Sequence, residues 1–205
     1  MGIRIAVLAS GRGSNFQSII DGIKEGDIDG EVVVLISDKP DAYAIERARQ
    51  NGIPTRVIPP KECASREEMN LKIREALGSY SPDLIVLAGY MRIITDELLI
   101  PYLHRIINIH PALLPSFPGL DGQKQAFEYG VKVSGCTVHF VDGGCDTGPI
   151  IEQACVDIRD CKSADEVCEK ILPFEHKAMR SVVAKFSRGR FVVEGRKVRY
   201  EDGRK

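Results

Sequence analysis

Short apolar runs alternate with helix-length amphipathic segments through the first half of the chain. Several of these runs, such as DLIVLAG at 83–89, are apolar on both faces, which is typical of a strand covered by helices on both sides. Because such strands join helices in right-handed βαβ units, the pattern predicts a Rossmann-like α/β fold with a doubly wound, mostly parallel sheet. The predicted strands are 3–9, 32–37, 54–58, 83–89 and 105–110, and the predicted helices are 15–25, 42–51 and 66–78.

The second half of the chain predicts antiparallel strands. Two further apolar runs are joined by a short glycine-rich link, which favours direct strand pairing over a helical crossover. No repeat, low-complexity tract or linker divides the sequence, so we expect one domain over 1–205. The remaining predicted elements are strands at 134–142 and 149–158, a long helix at 163–187, and a hairpin at 190–200 that turns at Glu194 and Gly195.

Charge and composition restrict the partners. Lys and Arg number 28 and Asp and Glu 29, so the net charge is −1 and no global field attracts nucleic acid or an anionic membrane. The apolar start stops at Gly11, too short for a signal peptide or a membrane span, so we expect a cytoplasmic protein with small-molecule substrates, acting as a monomer or homodimer.

The six cysteines form no C-x-x-C pair and no zinc-like doublet, which predicts reduced thiols and no metal. Cys145, in a glycine-rich loop, is a weak candidate nucleophile because no Cys–His pairing motif accompanies it.

A glycine-containing loop follows the first predicted strand. In SGRGSNFQSII, Gly13, Ser14 and Asn15 precede a helix, where free N–H groups and the helix dipole favour an anion such as phosphate. Phe16 stands where a dinucleotide fingerprint needs its third glycine, so the spacing favours a monophosphate over NAD. In a purely structural interpretation, Ser14 or Asn15 caps the helix.

Asn108 and His110 end the fifth predicted strand. Residues i and i+2 share a face of a strand, so the two side chains point the same way, at the strand end where ligands of open α/β sheets bind. Asp142 and Asp146 lie in the later glycine-rich link, where they are either turn residues or one of them orients the imidazole and raises its pKa. Sequence spacing does not choose between these roles.

Four motifs in order, GRGSN, LAGYMRIIT, NIHPALLPSFPG and DGGCDTGPII, resemble those of the folate-dependent formyltransferases. The resemblance covers nearly the whole chain, apart from HKAMRSV after Glu175, where the family has an aromatic-proline continuation. It implies the formyltransferase type of fold and transfer of a formyl group from 10-formyltetrahydrofolate, as co-substrate, to the amine of glycinamide ribonucleotide, with no metal.

The same resemblance assigns roles to individual residues. It implies a catalytic set of Asn108, His110 and Asp146. It implies that Leu114–Pro115 is cis. The phosphate and ribonucleotide site is implied at Gly13, Ser14, Asn15 and Glu175, and the folate pocket at Arg66, Met91, Arg92, Ile93, Ile94, Asn108, Val141 and Asp142.

Formyl transfer suits these residue types. The Asn108 amide would donate a hydrogen bond to the oxyanion, an effect worth ~3 kcal/mol in comparable sites. His110, charged or partly charged beside Asp146, would add to this stabilisation and move the proton. The polar residues 119–125 carry few apolar anchors, so we expect them to form a mobile lid.

Three alternatives stay open. A formyltetrahydrofolate deformylase would use water in place of the amine, but such enzymes usually carry a regulatory domain before the first strand, which here begins at Ile3. A methionyl-tRNA formyltransferase would need a C-terminal barrel that does not fit after residue 190. A non-catalytic nucleotide-binding module would explain the glycine loop but leave Asn108, His110 and Asp146 without a purpose.

Overall fold

The computed structural model describes residues 2–203; Met1 and residues 204–205, the ends of the predicted domain, lie outside it. The strands are Ile3–Ala9 (β1), Gly30–Ser37 (β2), Thr55–Val57 (β3), Leu84–Leu87 (β4), Ile106–His110 (β5), Val133–Phe140 (β6), Ile150–Asp157 (β7), Gly189–Glu194 (β8) and Lys197–Asp202 (β9). The helices are Ser14–Lys24 (α1), Tyr43–Gln50 (α2), Arg66–Gly78 (α3), Asp96–Leu99 (α4), Gly122–Tyr129 (α5) and Ala164–Phe186 (α6).

The central sheet has seven strands in the order β3-β2-β1-β4-β5-β6-β7. The five strands from β3 to β5 are parallel, whereas β6 runs antiparallel to β5 and β7 antiparallel to β6. This order confirms the predicted doubly wound sheet with antiparallel strands in the C-terminal half. Strands β8 and β9 form a separate hairpin.

Side-chain alternation along the central strands divides the core between the two faces of the sheet. In β1, Ile5 and Val7 pack with α1 and α6, whereas Ala6 and Leu8 pack with α3 and α4. All four are fully buried. Burial of each large side chain stabilises the fold by about 1.5–3 kcal/mol, which explains why strands apolar on both faces were readable from the sequence.

The closing hairpin turns one residue later than predicted. Glu194 pairs with Lys197, so Gly195 and Arg196 form the two-residue loop. Gly195 has a φ of 62°, and a glycine accepts this conformation at the first central position of a tight hairpin turn without strain.

Part of the predicted lid segment is helical. Residues 122–125 are the first turn of α5, and Gly122 is buried there. Apolar spacing gave no sign of this helix because GQKQAFEY is mostly polar and opens with glycine.

The cis peptide bond at Leu114–Pro115 is confirmed. Within residues 2–203 no helix combines the length and apolar character needed to cross a bilayer.

Candidate active site

The glycine loop and the loop after β4 lie next to each other at the carboxyl edge of the parallel strands. Ser10, at the end of β1, donates its backbone N–H to the Gly89 carbonyl at 3.1 Å. The order β1-β4-β5 places the end of β5, with Asn108 and His110, on the same edge. The glycine loop, the loop after β4 and the end of β5 therefore lie along one edge of the sheet.

Asn108 and His110 follow Ile106 on one face of β5. Ile106 packs in the apolar cluster of α3 and α4, and the two polar side chains continue that face toward the strand end. On the neighbouring strand β6, His139 lies opposite Asn108 and Thr137 opposite His110. His110 is 3% exposed, so its imidazole is almost entirely removed from water.

Asp146 joins these two residues from the loop between β6 and β7. Its Oδ2 lies 3.3 Å from His110 Nδ1, and its Oδ1 accepts from Asn108 Nδ2 at 3.3 Å. The backbone N–H of Gly119 also donates to Oδ2, at 2.8 Å. The three residues predicted to be catalytic are thus in contact.

Asp142, the other carboxylate considered, shapes its own turn. Its Oδ1 accepts from the Thr147 hydroxyl at 2.6 Å and from the Gly144 backbone N–H at 3.1 Å. Of the two roles that the sequence left open, the turn therefore belongs to Asp142 and the imidazole contact to Asp146.

Asp146 is held as a carboxylate. Burial by itself would raise its pKa, but the His139 side chain, the Gly119 N–H and the charge of His110 outweigh burial and lower the pKa to about 2. The residue also has a φ of 55°, a left-handed conformation that is uncommon for a non-glycine residue. A permanent negative charge in a strained backbone position is a frequent feature of functional sites.

Opposing effects act on the pKa of His110. Burial lowers the pKa, and this outweighs the opposing effects of the Asp146 charge and the Phe117 carbonyl. A lowered pKa favours the neutral ring at pH 7, against the charge expected from the sequence. In the neutral form the hydrogen belongs on Nε2, which lies 2.7 Å from the Phe117 carbonyl oxygen, an acceptor only. Nδ1 lies 3.3 Å from the Asp146 carboxylate, so a proton taken up there is held between the two groups.

The predicted oxyanion donor, Asn108, already uses its amide hydrogens. One is directed to Asp146 Oδ1 and the other to His139 Nε2, both at 3.3 Å. His139 Nδ1 lies 2.8 Å from the Phe140 carbonyl oxygen, an acceptor only, so this nitrogen carries a hydrogen. His139 Nε2 lies 3.3 Å from Asn108 Nδ2 and 3.6 Å from Asp146 Oδ1. Sequence reasoning missed His139, although it lies in the apolar strand TVHFV, where a polar residue is a signal in itself.

The predicted ribonucleotide residues also come together. Asn15, in the first turn of α1, donates through Nδ2 to Glu175 Oε2 on α6 at 3.0 Å, in a buried contact. Burial raises the pKa of Glu175, partly offset by the bond from Asn15. Gly13 precedes α1 with a φ of 65°, and the first N–H groups of a helix have no partner within it. This arrangement offers an anion-binding helix start beside a buried carboxyl group.

The residues assigned to the folate pocket converge only in part. Ile94 and Val141 contact the same apolar cluster, although they are far apart in sequence. Met91 and Ile93 are 57% and 54% exposed, so they do not join this cluster. Arg66 is the exposed first residue of α3 and Arg92 forms an ion pair with Asp38.

Cys145 does not have the character of a nucleophile. Its pKa is raised by burial and by the neighbouring charge of Asp146, so the thiol stays protonated. Among the described residues no cluster of three His, Cys, Asp or Glu side chains could hold a metal ion.

Comparison with known protein families identifies the class to which this chain belongs. The sequence profile of the formyl transferase family matches residues 3–183. The chain therefore belongs to the formyl transferase family.

Its relatives within this class are more specific. It is 46% identical over 180 residues to the phosphoribosylglycinamide formyltransferase of Bacillus subtilis (strain 168), covering 88% of this chain and 92% of the relative. The crystal structure of glycinamide ribonucleotide transformylase 1 from Symbiobacterium toebii superimposes with a TM-score of 0.95 at 48% identity, covering 98% of this chain and 95% of that one.

A relative with a different activity has nearly the same fold. A formyltetrahydrofolate deformylase from Pseudomonas syringae pv. tomato str. DC3000 superimposes with a TM-score of 0.90 at 27% identity, covering 98% of this chain and 67% of that one. Fold similarity alone therefore does not separate transfer from hydrolysis, whereas sequence identity favours the transferases.

Proposed function

We propose that the protein transfers the formyl group of 10-formyltetrahydrofolate to the amine of 5'-phosphoribosylglycinamide, giving formylglycinamide ribonucleotide and tetrahydrofolate in purine biosynthesis. The observation that carries this proposal is the contact of Asp146 with both Asn108 and His110. Identity to named phosphoribosylglycinamide formyltransferases supports it independently.

The reaction forms one C–N bond and breaks another. The neutral amine attacks the formyl carbon, the carbonyl oxygen becomes an oxyanion, and collapse of the tetrahedral intermediate releases the folate nitrogen, which takes up a proton. A neutral His110 accepts the proton that the amine loses, at Nδ1. The imidazolium so formed lies 3.3 Å from Asp146 Oδ2, whose negative charge stabilises it until the proton passes to the leaving nitrogen.

Asn108 stabilises the oxyanion after one of its hydrogen bonds is exchanged. Both of its present bonds are 3.3 Å long, at the weak end of the range, so donation to a developing negative charge is the stronger alternative. The Asp146 carboxylate stays ionised throughout, since its pKa is about 2.

The substrates occupy the two sides of this cluster. The phosphate binds the N–H groups at the start of α1, at Gly13, Ser14 and Asn15. Glu175, which Asn15 contacts, binds the remainder of the ribonucleotide. The formyl donor binds among Arg66, the loop 91–94 and residues 141–142.

The net charge of −1 supports small-molecule substrates over nucleic acid or a membrane surface. We place the enzyme in the cytoplasm, as a monomer or homodimer that requires no metal.

The test is release of tetrahydrofolate from 10-formyltetrahydrofolate, followed with and without glycinamide ribonucleotide. Release that depends on the amine supports transfer. Release without the amine supports the deformylase alternative, and binding without release supports a nucleotide-binding module.

Variants then test the catalytic cluster. We expect His110→Ala and Asp146→Asn to lower kcat by roughly 100-fold or more while both ligands still bind. Asp160→Asn, which alters an exposed carboxylate paired with Lys170, is the control and should turn over normally. Near-normal turnover of Asp146→Asn would remove this residue from the mechanism.

A further inference from the structure

The loop at 91–95 has no regular secondary structure, yet it carries four of the residues proposed to bind the formyl donor. Ile94 is buried in the apolar cluster of α3 and α4, whereas the side chains of Met91 and Ile93 are exposed, so the rest of the loop depends on polar contacts to keep its shape. Three polar side chains that are almost entirely buried supply these contacts, each from a different element.

Ser10 holds the beginning of the loop. It ends the β1 region, is 4% exposed, and its Oγ accepts from the backbone N–H of Met91 at 2.8 Å. The Ser10 backbone N–H also donates to the Gly89 carbonyl, so the residue is bonded to the chain on both sides of Tyr90.

Asp38 holds the side chain of Arg92. It follows β2, its side chain is 0% exposed, and Oδ2 accepts from Arg92 Nε at 2.6 Å. Its other oxygen, Oδ1, is buried without a hydrogen-bond partner. A buried carboxylate with one unmatched oxygen is a poor source of stability, which points to a role in fixing geometry.

Asn70 connects the end of the loop to α3. Its Nδ2 donates to the carbonyl oxygens of Ile93 and Arg66, at 3.2 and 2.9 Å, and its Oδ1 accepts from the backbone N–H of Thr95 at 3.3 Å. The residue is 2% exposed. One amide thus fixes the backbone at both Arg66 and Ile93, which are 27 positions apart in the sequence but are proposed to contact the same ligand.

We infer that Ser10, Asp38 and Asn70 are positioning residues that preorganise the 91–95 loop and Arg66 for the formyl donor. The inference rests on the proposed function, because the loop's role in donor binding does. Loss of one contact leaves the core packing in place but lets the loop depart from the binding geometry. We therefore expect the affinity for the folate to fall and the affinity for the ribonucleotide to stay the same.

Ser10→Ala and Asn70→Ala are the test variants, with Ser134→Ala as the matched control because its hydroxyl is buried and has no partner. For both test variants we expect the KM for 10-formyltetrahydrofolate and the Kd for tetrahydrofolate to rise about tenfold. The KM for glycinamide ribonucleotide should stay within about twofold, with kcat little changed. The control should leave all four constants unchanged.

Asp38 allows a rescue experiment in the same assay. Asp38→Ala should raise the KM for the folate, and Asp38→Asn, whose amide oxygen can still accept from Arg92, should restore most of the affinity. An increase in the KM for the folate alone, absent from the control variant, supports the inference. Equal increases in both KM values, or no change in folate affinity, would overturn it. Wild-type protein that shows no amine-dependent release but binds tetrahydrofolate would instead refute the proposed function, and the Kd comparison would still test the positioning role.

Discussion

At the residue scale, burial determines which ionisation states the catalytic cluster can use. His110 and Asp146 are 3.3 Å apart, but burial dominates the pKa of the imidazole, whereas for the carboxylate the combined effects of His139, the Gly119 N–H and His110 outweigh burial. In the proposed reaction the pair therefore begins as a neutral base beside a fixed negative charge. This combination suits proton uptake followed by stabilisation of the imidazolium.

The lowered pKa of His110 predicts how stability depends on pH. The unfolded protein takes up a proton at His110 as the pH falls through 6.5, whereas the folded protein takes it up only at lower pH. The stabilisation is therefore complete above pH 6.5 and is lost as the pH falls below it toward the folded pKa. We expect His110→Gln, which stays neutral, to have a flatter curve of unfolding free energy than wild type between pH 7 and about 5.

Urea denaturation of both proteins across this range is the measurement. The pKa of His176 is also lowered by burial, but that residue is present in both proteins, so its contribution cancels in the comparison. Parallel curves for wild type and variant would contradict the ionisation state assigned to His110.

At the element scale, the start of α1 combines a ligand site with close helix packing. A side chain at Gly13 would place its Cβ 2.8 Å from the Cβ of Ala44 on α2, in addition to the strain of its φ of 65°. Replacement of Gly13 would therefore disturb the fold together with any ligand. Ser14, which is half-buried and begins the helix, is the better position for a test of phosphate binding.

Ser14→Asp should separate binding from folding. A negative charge in the first turn interacts favourably with the helix dipole but repels a phosphate. We therefore expect the KM for the ribonucleotide to rise more than about tenfold while helix stability is maintained. The KM for the folate should change little. Ser14→Asn, similar in size but neutral, is the control, and an equal effect of both variants would show that size, not charge, is sensed.

The segment before α5 remains the candidate lid. Residues 119–121 precede the helix, and their link to the catalytic cluster is the bond from the Gly119 N–H to Asp146 at 2.8 Å. Hydrogen exchange should show that the amides of 120–121 exchange rapidly in the free protein and become protected when both ligands are bound. Amides 122–125, in the first turn of α5, should change less. Strong protection of 120–121 in the free protein would exclude a lid.

At the scale of the whole molecule, the C-terminal hairpin contributes stability through its aromatic side chains. Phe191 on β8 packs against Phe186 of α6, with ring centroids 4.8 Å apart, and against Phe140 of β6 at 6.3 Å. The turn of the hairpin also reaches the β6–β7 loop, because Arg196 donates to the Thr147 carbonyl oxygen at 3.0 Å. Phe191 pairs with Tyr200, away from that turn, so its contribution to stability can be tested separately from the site.

Phe191→Ala should lower the free energy of unfolding by about 2–3 kcal/mol, because the ring is only half-buried and the usual cost for a core phenylalanine is somewhat higher. The kcat should stay at the wild-type value. Leu103→Ala, which removes a 57% exposed side chain, is the control and should cost less than about 0.5 kcal/mol. A loss of activity without a loss of stability would show instead that the hairpin reaches the site.

Local patterns were sufficient to predict most of the fold and two of the three residues of the catalytic cluster. The strands β1, β2, β4 and β5 were readable because apolar residues on both faces of a strand are a direct consequence of burial between helix layers. The common face of Asn108 and His110 followed from the two-residue period of a strand. The sequence periodicity failed at α5, where polar residues form a helix that tertiary contacts stabilise.

Only the tertiary structure decided which carboxylate serves the imidazole, which charge the imidazole carries, and which buried residues hold the 91–95 loop. Asp142 and Asp146 look alike in sequence, and the return of the β6–β7 loop to the strand face distinguishes them. The charge of His110 depends on how completely its surroundings exclude water. Ser10, Asp38 and Asn70 are ordinary strand-end and helix residues until the fold brings them to one loop. These properties arise from contacts between segments that are distant in the sequence. Such contacts determine how deeply a side chain is buried and which groups it hydrogen-bonds, and a local sequence pattern does not contain this information.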